Sequence, residues 1–310
     1  MIRTRKLRRP RILVVGAGDI GLRCIALLQA RYRVFALTRD TDPARLATLR
    51  EAGAVPVRGD LDRRTSLHRL GHLAPAVLDL APPPPQGRDD PRSRALIAAL
   101  TRSRGRALIV PEHRRPTVVY ASTTGVYGDC GGALVDETRP VRPANPRAVR
   151  RVAAEQAWRA AGARMALSVR IVRIPGIYAA DRLPVERLRK GTPALATDDD
   201  VFTSHIHADD LAAIMIRVLT AGRPQRVYLA ADDTRLKMAD YFDLVADHAG
   251  LPRPARVARE EAERTLDPTL LSFMRESRQI ENVRLKTELG YRLLHASVAD
   301  CLAEEAGRRP

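Results

Sequence analysis

Short apolar runs alternate with amphipathic stretches through the first two-thirds of the chain. "RILVVG" (11–16), "RVFALT" (33–38), "AVPVRG" (54–59), "AVLDLA" (76–81), "TVVYAS" (117–122) and "MALSVRIVRIP" (165–175) are mostly hydrophobic and bounded by glycine, proline or charge. Runs of this length predict strands buried on both faces. Between them, 19–31, 43–53, 64–72 and 91–104 have helical spacing. Strands separated by helices imply βαβ units. The predicted fold is α/β, a doubly wound parallel sheet covered on both faces. The proline tract 81–92 and the glycine- and proline-bearing 123–146 predict loops. Helical spacing returns in 210–220, in "LLSFMRESRQIEN" (270–282) and in 295–306.

Composition changes the picture little. The chain has 310 residues, 45% hydrophobic and 29% charged, a globular balance with room for a large core. Net charge is +17, and six of the basic residues fall in the first eleven, leaving 17 − 6 = +11 elsewhere. The excess arginine is dispersed and no nucleic-acid motif accompanies it, which argues against a nucleic-acid partner. Asp19 and Arg23 interrupt the first apolar run, so neither a signal peptide nor a membrane span is expected. A basic disordered arm (1–10) and a cytoplasmic protein are. Three widely spaced cysteines with no CxxC predict reduced, mostly structural thiols.

Candidate chemistry begins at "VVGAGDIGLR", where Gly16, Gly18 and Gly21 form G-x-G-x-x-G between a strand and a helix. Such glycines make a tight turn, admit a pyrophosphate against the backbone, and let helix pack on strand. With Asp19 and Ile20 opening the helix, this predicts a dinucleotide site. The second strand ends in Thr38 and Arg39, where an NAD site usually has an acid. Arginine there suits the 2′-phosphate of NADP, with NAD as the alternative. Asp60 and Leu61, after the third strand, are placed near an adenine.

At "ASTTGVYGD" the chain resembles the extended and atypical short-chain dehydrogenases/reductases, the NAD-dependent epimerase/dehydratase family. "GAGDIG", "GDLDRRTSL", "VLDLA", "VDETRPVRP", "RIVRIPGIY" and "HIHADDLA" follow in family order. The resemblance implies a Rossmann domain over 11–175 and 203–232, with a substrate region over 176–202 and 233–310. It implies a nicotinamide cofactor, a small hydroxyl or carbonyl substrate, and a homodimer through the active-site helix. By position, Thr123 matches the catalytic Ser/Thr. Ala81 and Pro82 match the turn lining the cofactor ribose, and Pro175, Gly176 and Ile177 match the segment beside the nicotinamide.

The departures concern catalysis. The places of the family's Tyr-x-x-x-Lys hold Arg147 and Arg151. Arginine cannot release its proton near neutrality, although Arg151 keeps the lysine's charge. Tyr127 and Tyr178 are the candidate substitute proton donors. Gly176 replaces an asparagine used by many nucleotide-sugar members, which speaks against a nucleotide-sugar substrate. His205, His207 and Asp209 raise a metal site, but their segment matches a structural part of the family, with Asp209 and Asp210 capping the following helix, so no metal is expected. The leading expectation is an oxidoreductase or epimerase-like enzyme using Thr123, Tyr127 and Arg151. The alternative is a non-catalytic NADP(H)-binding redox sensor.

Overall fold

A computed structural model of the protein describes residues 9–39, 41–102, 115–164 and 167–307. Residues 1–8, most of the expected arm, and Asp40 lie outside them. Seven strands form one sheet: β1 (Arg11–Val15), β2 (Arg33–Thr38), β3 (Ala54–Arg58), β4 (Ala76–Asp79), β5 (Thr117–Thr123), β6 (Ser168–Ile174) and β7 (Arg226–Leu229). Their order is β7-β6-β5-β4-β1-β2-β3. β1 pairs in parallel with β2 and β4, β2 with β3, and β4 with β5. The first six strands coincide with the six apolar runs. Pro56 lies within β3, the sheet's edge, where a missing N–H costs least. Ile12 to Val15 and Ser168 to Ile174 are buried throughout, as two-sided strands require.

The chain divides into two compact units, one of residues 1–121, 153–172 and 212–226, the other of 122–152, 173–211 and 227–310. This division differs from the expected one, because 122–152 clusters with C-terminal segments. Leu134–Val135 pairs with Gln279–Ile280, Cys130 N–H donates to the Ser277 carbonyl, and Asn145 Nδ2 donates to Glu276.

In the first unit, α1 (Asp19–Leu28), α2 (Pro43–Glu51) and α3 (Pro91–Arg102) follow β1, β2 and β4. The stretch 64–72 is two 3₁₀ turns, Arg64–Leu67 and Leu70–His72, rather than one helix. Cys24 is buried in α1, and burial pushes its thiol up to about 12, as expected of an inert structural cysteine.

In the second unit, α4 (Pro146–Ala163) begins after an Asn145 whose Oδ1 accepts the Ala148 N–H. The expected helix over 270–282 covers only Pro268–Phe273, since Gln279–Ile280 is drawn into the strand pairing above. Asp210 is not a cap. Its carboxylate accepts the Leu294 and His295 N–H groups and the Tyr291 hydroxyl, pinning a distant loop to helix Ala208–Ala221. Among the described residues no helix is long and apolar enough to cross a membrane.

Buried Asp232 carries a pH consequence. Burial raises its carboxyl to about 7, although the Thr234 N–H and hydroxyl oppose the shift. The folded state therefore holds this proton where the unfolded chain, near the ordinary carboxylate value, has lost it. Its contribution is intact below about pH 4 and is lost as pH rises toward 7. Urea unfolding should show lower stability at pH 8 than at pH 5, with Asp232→Asn removing much of the slope. Equal slopes in both proteins would remove Asp232 as the cause.

Candidate functional site

The first unit builds its site where β1 to β4 end, the crevice in which such sheets bind ligands. Gly16 has φ +87°, and a Cβ there would lie 2.6 Å from the Ala81 nitrogen. A Cβ on Gly21 would lie 2.5 Å from the Gly16 carbonyl oxygen. These two glycines let the turn press on the end of β4 and α1 press on the turn. Gly18 differs, since a Cβ there meets nothing within 4 Å. It borders a cavity of about 240 Å³ that is also lined by Thr38, Arg39, Asp60, Leu61, Ala81 and Pro82. Six residues named from sequence thus meet at one opening with Gly16 and Gly18. Asp19 and Ile20 are not part of its lining; they form the first turn of α1, where Asp19 pairs with Arg23 at 2.9 Å.

Three further residues complete this opening. Arg45, from α2, donates to the Ala17 carbonyl. Arg92, from α3, forms a two-pronged ion pair with Asp62 at 2.8 and 2.6 Å and donates to the Pro82 carbonyl. The Arg92 hydrogen bond holds the Asp62 carboxyl below its usual range. Sequence spacing gave no sign of Arg45 or Arg92, because each comes from the face of a separate helix. The donor set fits a dinucleotide: an open glycine at a helix N-terminus for pyrophosphate, with the Arg39 and Arg45 cations at the same opening.

In the second unit a cavity of about 280 Å³ is lined by Thr123, Thr124, Arg147, Pro175, Gly176 and Ile177 on one side. Arg182, Phe202, Thr203, Ser204, Met238, Glu276 and Arg278 complete it. Thr123 ends β5 and starts a 3₁₀ turn, its Oγ1 accepting the Gly125 N–H at 3.2 Å. Pro175, Ile177 and Arg147 share the cavity with it. Arg151, one turn beyond Arg147, is outside the lining. Its positive charge, after desolvation, helps pull the Arg147 guanidinium below arginine's ordinary pKa; Arg150 adds to this and Glu276 opposes it. A Cβ on Gly176 would press on His205 and the Ser204 carbonyl at 3.2 and 3.3 Å, so close packing disfavours asparagine there.

The expectation that Tyr127 donates a proton is corrected. Tyr127 is buried, its hydroxyl donates to the Asp136 carbonyl at 3.0 Å, and Arg173 donates to it at 2.7 Å while covering its ring. The phenol is occupied as a core brace. Tyr178 is equally buried, packed edge-on to the His207 ring, and burial beside Asp232 raises its pKa. Among the described residues, no tyrosine, lysine or histidine lines the Thr123 cavity.

A different trio from the one suggested by sequence, His207, His295 and Cys301, brings ligand-type atoms within 4.8 Å of one another. The two imidazole ring centroids lie 3.8 Å apart with the rings tilted by 44°, and Nδ1 of His207 accepts the Asp209 N–H.

A family model described as the NAD dependent epimerase/dehydratase family matches residues 12–231. A 3-diazoavenalumate denitrifying reductase from a Streptomyces species is 28% identical over 315 residues, covering 95% of this chain and all of the relative. A functionally unknown conserved protein from Silicibacter pomeroyi superposes with a TM-score of 0.79 at 28% identity, covering 96% of this chain and 98% of that one. A dTDP-glucose 4,6-dehydratase from Streptomyces venezuelae, solved with NAD bound, superposes with a TM-score of 0.75 at 23% identity, covering 96% of each chain. The last likeness concerns the fold.

Proposed function

Because this chain belongs to the NAD-dependent epimerase/dehydratase family, we propose that it is an NADP(H)-dependent reductase whose hydride acceptor needs no tyrosine acid. The observation carrying this reading is the Thr123 cavity, which has four hydroxyl side chains, three guanidinium groups and the Glu276 carboxylate but no tyrosine, lysine or histidine among its described lining residues. The bound reduced nicotinamide would supply a hydride. Gly18 and the N-terminus of α1 would hold its pyrophosphate, and Arg39 with Arg45 the 2′-phosphate. Thr123 would donate a hydrogen bond to the acceptor and orient it. Arg147 would hold charge without exchanging protons.

Reducing a carbonyl leaves an alkoxide that must be protonated, and this cavity is poorly equipped for that step. An acceptor that expels a neutral leaving group has no such need. When hydride replaces the nitrogens of an arenediazonium, a C–H bond forms, the C–N bond breaks, and dinitrogen leaves with that electron pair. The relative named as a denitrifying reductase supports this class of acceptor for the present chain.

The test follows oxidation of 4-deuterated NADPH by the full chain, with an arenediazonium carboxylate and, separately, a carbonyl panel. The reading expects enzyme-dependent oxidation with the diazonium and deuterium at the carbon that lost nitrogen. Thr123→Val should lower kcat/KM by roughly 10- to 100-fold with cofactor affinity unchanged. A second reading, a redox sensor, draws on the same replacement of the tyrosine and lysine by arginines. NADPH binding without turnover of either class would favour it and end the reductase reading.

A further inference from the structure

The charged groups at the opening of the first unit are not equivalent. Arg39, Arg45 and Arg92 line it together with Asp60 and Asp62. Asp62 matters most to a phosphate at Arg39, because the Arg39 charge acts on the Asp62 carboxylate. A carboxylate and a phosphate near one guanidinium compete for it. The outcome depends on how firmly Asp62 is held elsewhere.

Arg92 holds it, and the backbones of both residues are fixed locally. The Asp62 N–H donates to Oδ1 of Asp60 at 3.0 Å, which closes a tight turn after β3. Arg92 lies in the first turn of α3, behind a cap. Buried Asp90 accepts the Arg92 and Ser93 N–H groups at 3.0 and 3.2 Å, and the Ser93 hydroxyl at 2.7 Å. A cation in a first turn faces the positive end of the helix dipole, so Arg92 is not stabilised by its own helix. Its partner stands 30 residues earlier in the chain. Nε donates to one oxygen of Asp62 at 2.8 Å and Nη2 to the other at 2.6 Å, while Nη1 donates to the Pro82 carbonyl at 3.1 Å. A two-pronged fork orients a carboxylate as well as neutralising it. The pull on Asp62 follows the same order. The Arg92 hydrogen bond lowers its pKa most, burial opposes, and the charges of Arg92 and then Arg39 add to the lowering.

We infer that Arg92 determines cofactor specificity: by occupying both oxygens of Asp62 it keeps that carboxylate off Arg39 and leaves Arg39 to a 2′-phosphate. The inference rests on the NADP(H) reading of this opening. Arg92 acts through Asp62 and is a positioning residue. Without it, Asp62 becomes an acid beside Arg39, where it repels the phosphate and accepts from the bare ribose hydroxyls of NADH.

The test is titration of NADPH and NADH with the full chain. Arg92→Leu should weaken NADPH by roughly tenfold and leave NADH within roughly threefold, so the preference for NADPH falls by about the same factor. Adding Asp62→Asn to that variant should restore the preference to within roughly threefold of the parent, since the competing charge is gone. If Arg92→Leu does not fold, Arg92→Gln takes its place with the same expectations, because its amide keeps a donor for the Pro82 carbonyl. An unchanged preference in the single variant, equal losses of both cofactors, or no restoration in the double variant would overturn the inference and leave the NADP(H) reading standing. A parent with no preference for NADPH would overturn that reading and the inference with it.

Discussion

Gly18→Val is expected to weaken NADPH binding by at least roughly tenfold while leaving stability within about 0.5 kcal/mol of the parent. The two effects separate because of where a side chain would go. Gly18 has φ −70°, open to any residue, and a Cβ there meets no protein atom within 4 Å. Its free space is the cavity in which the pyrophosphate would lie. Gly16→Ala provides the contrast: φ is +87° and the new methyl group would press on the backbone of Leu80 and Ala81. That variant should lose stability by about 1–3 kcal/mol along with cofactor affinity. Thermal unfolding and NADPH titration on the two variants give the comparison. If Gly18→Val retained full affinity, the pyrophosphate would have to lie elsewhere.

The second large effect concerns the choice between the two nicotinamide cofactors. Arg39 and Arg45 line the opening on the side of β2, the first from its end and the second from α2. A 2′-phosphate between two guanidinium groups gains charge-assisted hydrogen bonds worth about 1.5–3 kcal/mol each, whereas the bare hydroxyl of NADH gains little. Arg39→Asp combined with Arg45→Ala should therefore turn a preference for NADPH into one for NADH, a swing of roughly 100-fold or more. The new acid at position 39 would accept from the ribose hydroxyls and repel the phosphate. Dissociation constants for the two cofactors, before and after, measure the swing. An unchanged ratio would show that neither arginine reads the phosphate.

The residues that were legible in the sequence are those whose role is local. G-x-G-x-x-G declares itself because turn, helix start and close packing fall within six positions, and the backbone does press closely at two of them, Gly16 and Gly21. The strands β1 to β6 were legible because burial on both faces leaves continuous apolar runs. Thr123 was found through the order of motifs around it, and it does line a cavity. What escaped was decided at a distance. Tyr127 reads as a loop phenol until Arg173, 46 residues away, takes its hydroxyl. Helical spacing over 270–282 gives way at Gln279–Ile280 because Leu134–Val135 offers a partner strand. Arg45 and Arg92 reach their opening from helices that follow different strands, a convergence no spacing rule encodes. Arg147 was noticed as a departure, and the cavity it lines takes its other charged residues, Arg182, Arg278 and Glu276, from more than 30 residues beyond it in the chain.

The most direct measurement is a fluorescence titration of NADPH and NADH with the full purified chain, with NADP⁺ and NAD⁺ as competitors. Saturable one-to-one binding of NADPH, at least roughly tenfold tighter than NADH and weakened in Gly18→Val, is the predicted result. Absence of saturable binding for all four would contradict the account at its base.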